Sequence, residues 1–410
     1  MSDTQVNTSK YRWIIVFAAF IIMMIISVYQ YSWFLFAYAI KENFKWDLAT
    51  IGLTFTIFTY TATFIQPLSG FISESKGPRK VAILASSLVG IGFILSSYAS
   101  SPLILYLFYG LGGLGVGVLY GISTACAIKW FPDKRGFATG FVVFGFGAGT
   151  AVFNFIVQGL LEAKGVSTTF MYIGIFMIII LIPLSLFFKY PQESALRNID
   201  TPMKAEEESQ DYHPFEMLKS YQWFLIYFSF IATVSIVLMF GAQMKIIAKE
   251  FNVPAAYFSL TLFLFPIGNG LSRVLAGTVS DRIGREKTMV TFYTLLSIAI
   301  FCFVLFGHRP ILFIVIVFIA ALLGGAPFVL YPVTIGDYYG ARYAATNYGI
   351  TYTAKAWAGL ISGWLSGYLF IKFGSYKIQL IVVAICSLLA AVLSIPVIMK
   401  SPRKKIVVDH

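Results

Sequence analysis

Arg273, in the string NGLSRVLAG, and Lys355, in TYTAKAWAG, each lie well inside a long apolar run. Placing such a side chain at the centre of a hydrocarbon layer costs about 2.5–3.5 kcal/mol on insertion scales, so cations at that depth are functional by default. Arginine presents a planar fork of donors that fits a carboxylate or phosphate at two points, whereas lysine is a compact charge that sheds its proton when desolvated. Every Asp and Glu falls at a predicted helix end, in a loop or in a tail. The simplest counter-charge for the two cations is therefore a small anion. A carboxylate suits the pair better than a phosphate ester, which would call for further cations.

Asn269 precedes Arg273 by four residues, and Thr351 and Tyr352 precede Lys355 by four and three, so each can share its cation's helical face. Gln30, Tyr31, Tyr120, Phe328 and Tyr331 are polar or aromatic residues at intramembrane depth that can line the rest of the site. The competing reading for any one aromatic is core packing or an interfacial belt, because 17% of the chain is Phe, Trp or Tyr. Cys126, Cys302 and Cys386 lie in apolar runs without CxxC spacing and read as small buried hydrophobes. His213, His308 and His410 are scattered outside the apolar cores. No metal, cofactor or enzymatic cluster is expected.

The elements that must position these residues are membrane helices. The 410-residue chain is 58% hydrophobic and 12% charged, with a mean hydropathy of +0.81, which makes lipid its solvent. Apolar runs near 13–40, 48–72, 81–99, 103–128, 137–161 and 168–188, then 222–247, 255–280, 288–307, 310–336, 344–371 and 376–399, predict twelve spans. The first run is too long for a signal-peptide core, so it is expected to remain as the first helix, with the mature protein beginning near Met1. With both termini cytoplasmic, 20 of the 30 Lys and Arg residues fall inside, 8 outside and 2 within helices, as the positive-inside rule requires. The net charge of +12 is thereby read as topology, not as nucleic-acid binding. Residues 1–189 and 221–410 form two six-helix bundles in this reading, and 190–220, with Glu206, Glu207, Glu208 and Asp211, form a flexible cytoplasmic linker.

Gly70, Glu74, Gly77, Arg79 and Lys80 follow the second span, and Gly277, Asp281, Gly284, Arg285 and Lys287 follow the eighth, 207 residues on. An internal duplication explains matched spacing near half the chain length. Glycines permit close helix approach, and an acid at a helix end can pair with nearby cations and latch one conformation, so these residues read as gates. The motif resembles the loop signature of the major facilitator superfamily, with Glu74 in place of the usual Asp. That resemblance implies an all-α polytopic fold of twelve helices in two bundles.

The strings QYSW, YGIS, KWFPDKRG and NYG, together with Arg273 and Lys355, resemble the oxalate/formate antiporter family, which is related to the monocarboxylate transporters. The resemblance implies that Arg273 and Lys355 bind substrate carboxylates and that Gln30, Tyr31, Tyr120 and Tyr352 form an aromatic cage. It also implies a Trp or Tyr in oxalate carriers where this chain has Phe146, Gly324, Phe328 and Tyr352. The expected activity is exchange of small carboxylate anions by alternating access, with proton-coupled lactate or pyruvate transport as the alternative. The expected setting is a monomer in the inner membrane, with the lipid bilayer and a carboxylate of the oxalate, formate, lactate or pyruvate class as partners.

Overall fold

The computed structural model describes residues 3–46, 48–191 and 211–402. The greater part of the linker, including Glu206, Glu207 and Glu208, lies outside the described residues, as do Met1, His410 and the tail cations Arg403, Lys404 and Lys405. Among the described residues the regular secondary structure is helical, and the helices group into twelve, with one further helical turn at Pro214–Met217. These are α1 (Asp3–Tyr31 and Trp33–Phe44), α2 (Leu48–Phe64 and Gln66–Lys76), α3 (Pro78–Ser96), α4 (Pro102–Trp130), and α5 with α6 in the single stretch Arg135–Ser185. They continue as α7 (Tyr221–Glu250), α8 (Ala255–Ile283), α9 (Arg285–Phe306), α10 (Pro310–Gly324 and Pro327–Tyr339), α11 (Ala344–Tyr352, Ala354–Leu360, a π turn Ile361–Leu365, and Ser366–Phe373) and α12 (Lys377–Leu393).

Hydrocarbon leaves no water for stray backbone groups, so apolar runs of this length become helices and their ends are set by local chemistry. Pro78, Pro102 and Pro310 stand at first helical positions, where a missing N–H costs nothing. Ser101 and Ser220 accept from the backbone N–H of Ile104 and Trp223. Gly165, at φ 75°, breaks α5 from α6. Among the described residues, eight stretches are long and apolar enough to cross a membrane unaided. α2 and α11 are divided into segments of 17 residues or fewer, and α12 has 17 residues.

The described residues divide into two compact units. The first holds residues 1–133, 142–211 and 341–350, and the second holds 134–141, 212–340 and 351–410. Each unit therefore takes a short segment from the opposite half of the sequence. In the first, Tyr29 donates to the carbonyl of Val89 at 2.6 Å and Tyr109 donates to that of Tyr29 at 2.7 Å, tying α1, α3 and α4 around a buried aromatic core. In the second, Ser297 donates to Ala384 O and Ser387 to Tyr293 O, joining α9 and α12 reciprocally.

Glycine sets where helices touch. In the second unit Gly136 of α5 meets Gly277 of α8 so closely that a Cβ on Gly277 would lie 2.1 Å from the Gly136 carbonyl oxygen. In the first unit a Cβ on Gly70 would lie 2.6 Å from the backbone of Ala345. Gly277→Ala is expected to destabilise the protein by about 1–3 kcal/mol through overpacking. Gly52→Ala, where a Cβ meets nothing within 4 Å, should leave stability unchanged or slightly raised. Thermal unfolding of the two purified variants checks the contrast, and equal melting would remove the steric account.

Candidate functional site

Arg273 and Lys355 are 1% and 6% exposed, and both belong to the second unit. The Arg273 guanidinium donates to Asn269 Oδ1 at 3.2 Å, one turn back along α8, and lies 5.0 Å from the centre of the Phe328 ring on α10. Lys355 donates to the Tyr352 hydroxyl at 3.2 Å, with its ammonium 5.3 Å from the same ring. Lys355 lies within electrostatic range of Arg273. Each cation is thus held by a polar neighbour on its own helix and by the face of an aromatic ring, an arrangement that tolerates a desolvated charge.

Of the other residues singled out from the sequence, Tyr331 is fully buried with its ring 4.7 Å from Phe230 and 6.2 Å from Tyr293, so it backs the cluster from behind. Tyr31 and Tyr120 belong to the first unit, where each meets Phe146 edge-on at 5.4 Å, and Gln30 precedes Tyr31 on α1. Gly324 leaves no gap in the cluster, because a Cβ there would meet Val237 at 2.4 Å.

Sequence reasoning missed what α7 contributes. Trp223 Nε1 donates to Thr351 Oγ1 at 3.1 Å, and the Tyr227 hydroxyl pairs with Thr353 Oγ1 at 2.9 Å. These bonds flank the break in α11 just before Lys355. Phe230, two turns above Trp223, packs against Phe328, Tyr331 and Tyr352. The periodicity Trp223, Tyr227, Phe230 along one helical face was the available signal.

The duplicated motif builds matched structures. Gly77 and Gly284 have φ of 84° and 94°, conformations that favour glycine, at the turns between α2 and α3 and between α8 and α9. Asp281 accepts from the backbone N–H of Gly136 at 3.0 Å and of Phe137 at 2.8 Å, capping the start of α5. Glu74 accepts from Ala345 N at 2.8 Å and Thr346 Oγ1 at 2.5 Å, capping the start of α11. Carboxylates at helix N-termini meet both orphan donors and the positive end of the dipole.

The cations differ between copies. Arg285 bonds Asp281 at 2.5 Å and Asp337 at 2.8 Å, and Arg135 bonds Asp337 at 2.6 Å. Glu74 pairs with Lys129 at 3.6 Å, while Arg79 is exposed. Lys129 and Arg135 come from the KWFPDKRG string, and Asp337 is an acid at the end of α10 that the sequence offered without a role.

The chain matches the model of the Major Facilitator Superfamily over residues 15–245 and 223–408 and belongs to that family. It is a multi-pass membrane protein. It is 32% identical over 400 residues to the oxalate:formate antiporter of Oxalobacter formigenes, covering 97% of this chain and 94% of that protein. It is 31% identical over 110 residues to monocarboxylate transporter 9 of Gallus gallus, covering 27% of this chain and 22% of that one. The solved structure of the proton:xylose symporter XylE bound to 6-bromo-6-deoxy-D-glucose superposes with a TM-score of 0.76 over 97% of both chains, at 14% identity, a likeness of fold alone.

Asp337→Asn would leave the Arg135 and Arg285 guanidinium groups facing one neutral amide, a change expected to destabilise by about 3–5 kcal/mol. Adding Arg135→Gln should recover part of the loss in thermal unfolding, and additive losses would refute the shared network. Burial raises the Glu74 carboxyl above its ordinary range, while Lys129 and the bonds from Thr346 and Ala345 hold it back. A carboxyl with a raised pKa binds its proton more tightly when packed, so packing of Ala344–Tyr352 gains most below the ordinary carboxylate pKa and loses that advantage as pH rises through the raised value. Amide exchange there, corrected for its intrinsic rate, should quicken across that range in the wild type and stay flat in Glu74→Gln.

Proposed function

We propose that the protein exchanges small carboxylate anions across the cell membrane by alternating access, with both termini on the cytoplasmic side. The observation that carries this reading is the pair Arg273 and Lys355, buried in membrane helices of one unit and each seated on an aromatic ring. The full-length similarity to an oxalate:formate antiporter supports it. Two charges of one sign in a low-dielectric setting neutralise one dianion or two monoanions, and arginine supplies the two-point donor geometry that a carboxylate accepts. Asn269 and Tyr352 then orient the cations, and Phe328 supplies further aromatic contact. Exchange of one anion for another needs no titrating acid in the spans. The duplicated clamps at Gly70, Glu74 and Gly77 and at Gly277, Asp281, Gly284 and Arg285 act as gates whose helix-end bonds break and reform during the cycle.

Proton-coupled monocarboxylate transport is the second reading, favoured by the similarity of one segment to monocarboxylate transporter 9. Purified protein in liposomes separates the two. Uptake of labelled oxalate, formate, lactate and pyruvate is measured with and without internal anion and an imposed pH gradient, beside Arg273→Gln and Lys355→Gln. Exchange predicts uptake that requires internal anion and falls at least about a hundredfold in Arg273→Gln, from loss of a buried charged hydrogen-bonding partner. Gradient-driven uptake without internal anion would establish proton coupling instead.

A further inference from the structure

We infer that Phe230 is a positioning residue that sets the spacing of Arg273 and Lys355 and thereby the length of anion the protein prefers; this rests on the carboxylate reading above. Arg273 is seated on Phe328 and Lys355 on Tyr352. Those two rings belong to different helices, α10 and α11, and both lean on the same side chain. Phe230 of α7 meets Phe328 at 6.2 Å with planes at 79°, and Tyr352 at 6.0 Å with planes at 68°. Both are edge-to-face contacts, which fix ring orientation as well as distance.

Phe230 is fully buried and has no group that can bind an anion. Its influence on the substrate must therefore pass through the rings it separates. Tyr331, also on α10, packs against Phe230 at 4.7 Å with planes at 34°. The helix beneath is anchored as well, because Trp223 and Tyr227 hold Thr351 and Thr353 beside Lys355. Shortening Phe230 removes the spacer, lets the Phe328 and Tyr352 rings approach one another, and draws the two cations together. A shorter anion then bridges them better than a longer one.

The test uses full-length protein in liposomes, with competition by oxalate, malonate and succinate against uptake of labelled oxalate, in the wild type, Phe230→Leu and Phe230→Met. Phe230→Leu should shift the malonate-to-oxalate preference about tenfold toward oxalate, the effect of one methylene in a shaped pocket, with maximal rate within about twofold of the wild type. Phe230→Met, which keeps the reach of the side chain, should retain the wild-type order. Inhibition constants that change by one common factor for all three anions, a loss confined to maximal rate, or a shift toward malonate would overturn the spacing role. A wild type that takes up no carboxylate would overturn the underlying reading and this one with it, an outcome distinct from uniform change in the variants.

Discussion

A guanidinium and an ammonium inside membrane helices impose the constraint around which the second unit is arranged. Neither charge can be left bare in hydrocarbon, and each is met in the same way, by one polar side chain on its own helix and one ring face. The rings in turn need support, since a cation–π contact has value only where the ring is fixed. Phe230 and Tyr331 provide that support, and Trp223 and Tyr227 hold the broken segment of α11 from which Lys355 projects. A helix of uniform hydrogen bonding would not need them. At the break the Thr353 carbonyl still accepts from Ala356 N, and the side chains of Thr351 and Thr353 are tied to α7.

The paired acids solve a different problem with shared means. Both close a helix start with a carboxylate from a distant part of the chain, and both sit four residues after a glycine that lets backbones nearly touch. Each accepts from two successive backbone N–H groups, and Glu74, one methylene longer, accepts from the Thr346 hydroxyl as well. Their cations diverge too, since Arg285 follows Asp281 by four residues on the same strand of chain and Lys129 reaches Glu74 from α4.

The fold was legible because its signals are long: runs of apolar residues, basic turns and a spacing repeated after 207 residues. Arg273 and Lys355 were legible for a related reason, as charge within such runs is conspicuous. Their supports were not. Phe230 is one of 40 phenylalanines, and nothing in its neighbours distinguishes a ring that braces two cation sites from one that fills a core. Tyr331 was legible by depth, but not its packing against Phe230 and Tyr293. Depth along a helix can be counted from sequence, but the direction a side chain faces depends on which helices surround it. The segment exchange was hidden for the same reason, because it depends on tertiary packing at Gly136 and Gly70 and leaves no mark on composition.

That exchange divides the segments of α11 between the two units. The segment 341–350 belongs to the first unit, where Glu74 caps the helix start, and residues from Thr351 onward belong to the second, where Lys355 follows within a turn. Anything that repositions Lys355 must therefore be transmitted along, or absorbed by, the few residues between Thr346 and Lys355. The break at Thr353 lies on that path and is held by Tyr227. Were an anion at Lys355 coupled to the cap, linkage would require a substitution at Glu74 to alter anion affinity by the same factor. Trp223 and Tyr227 bond the two threonines on that path, so substitutions in α7 are the ones that would report such a coupling.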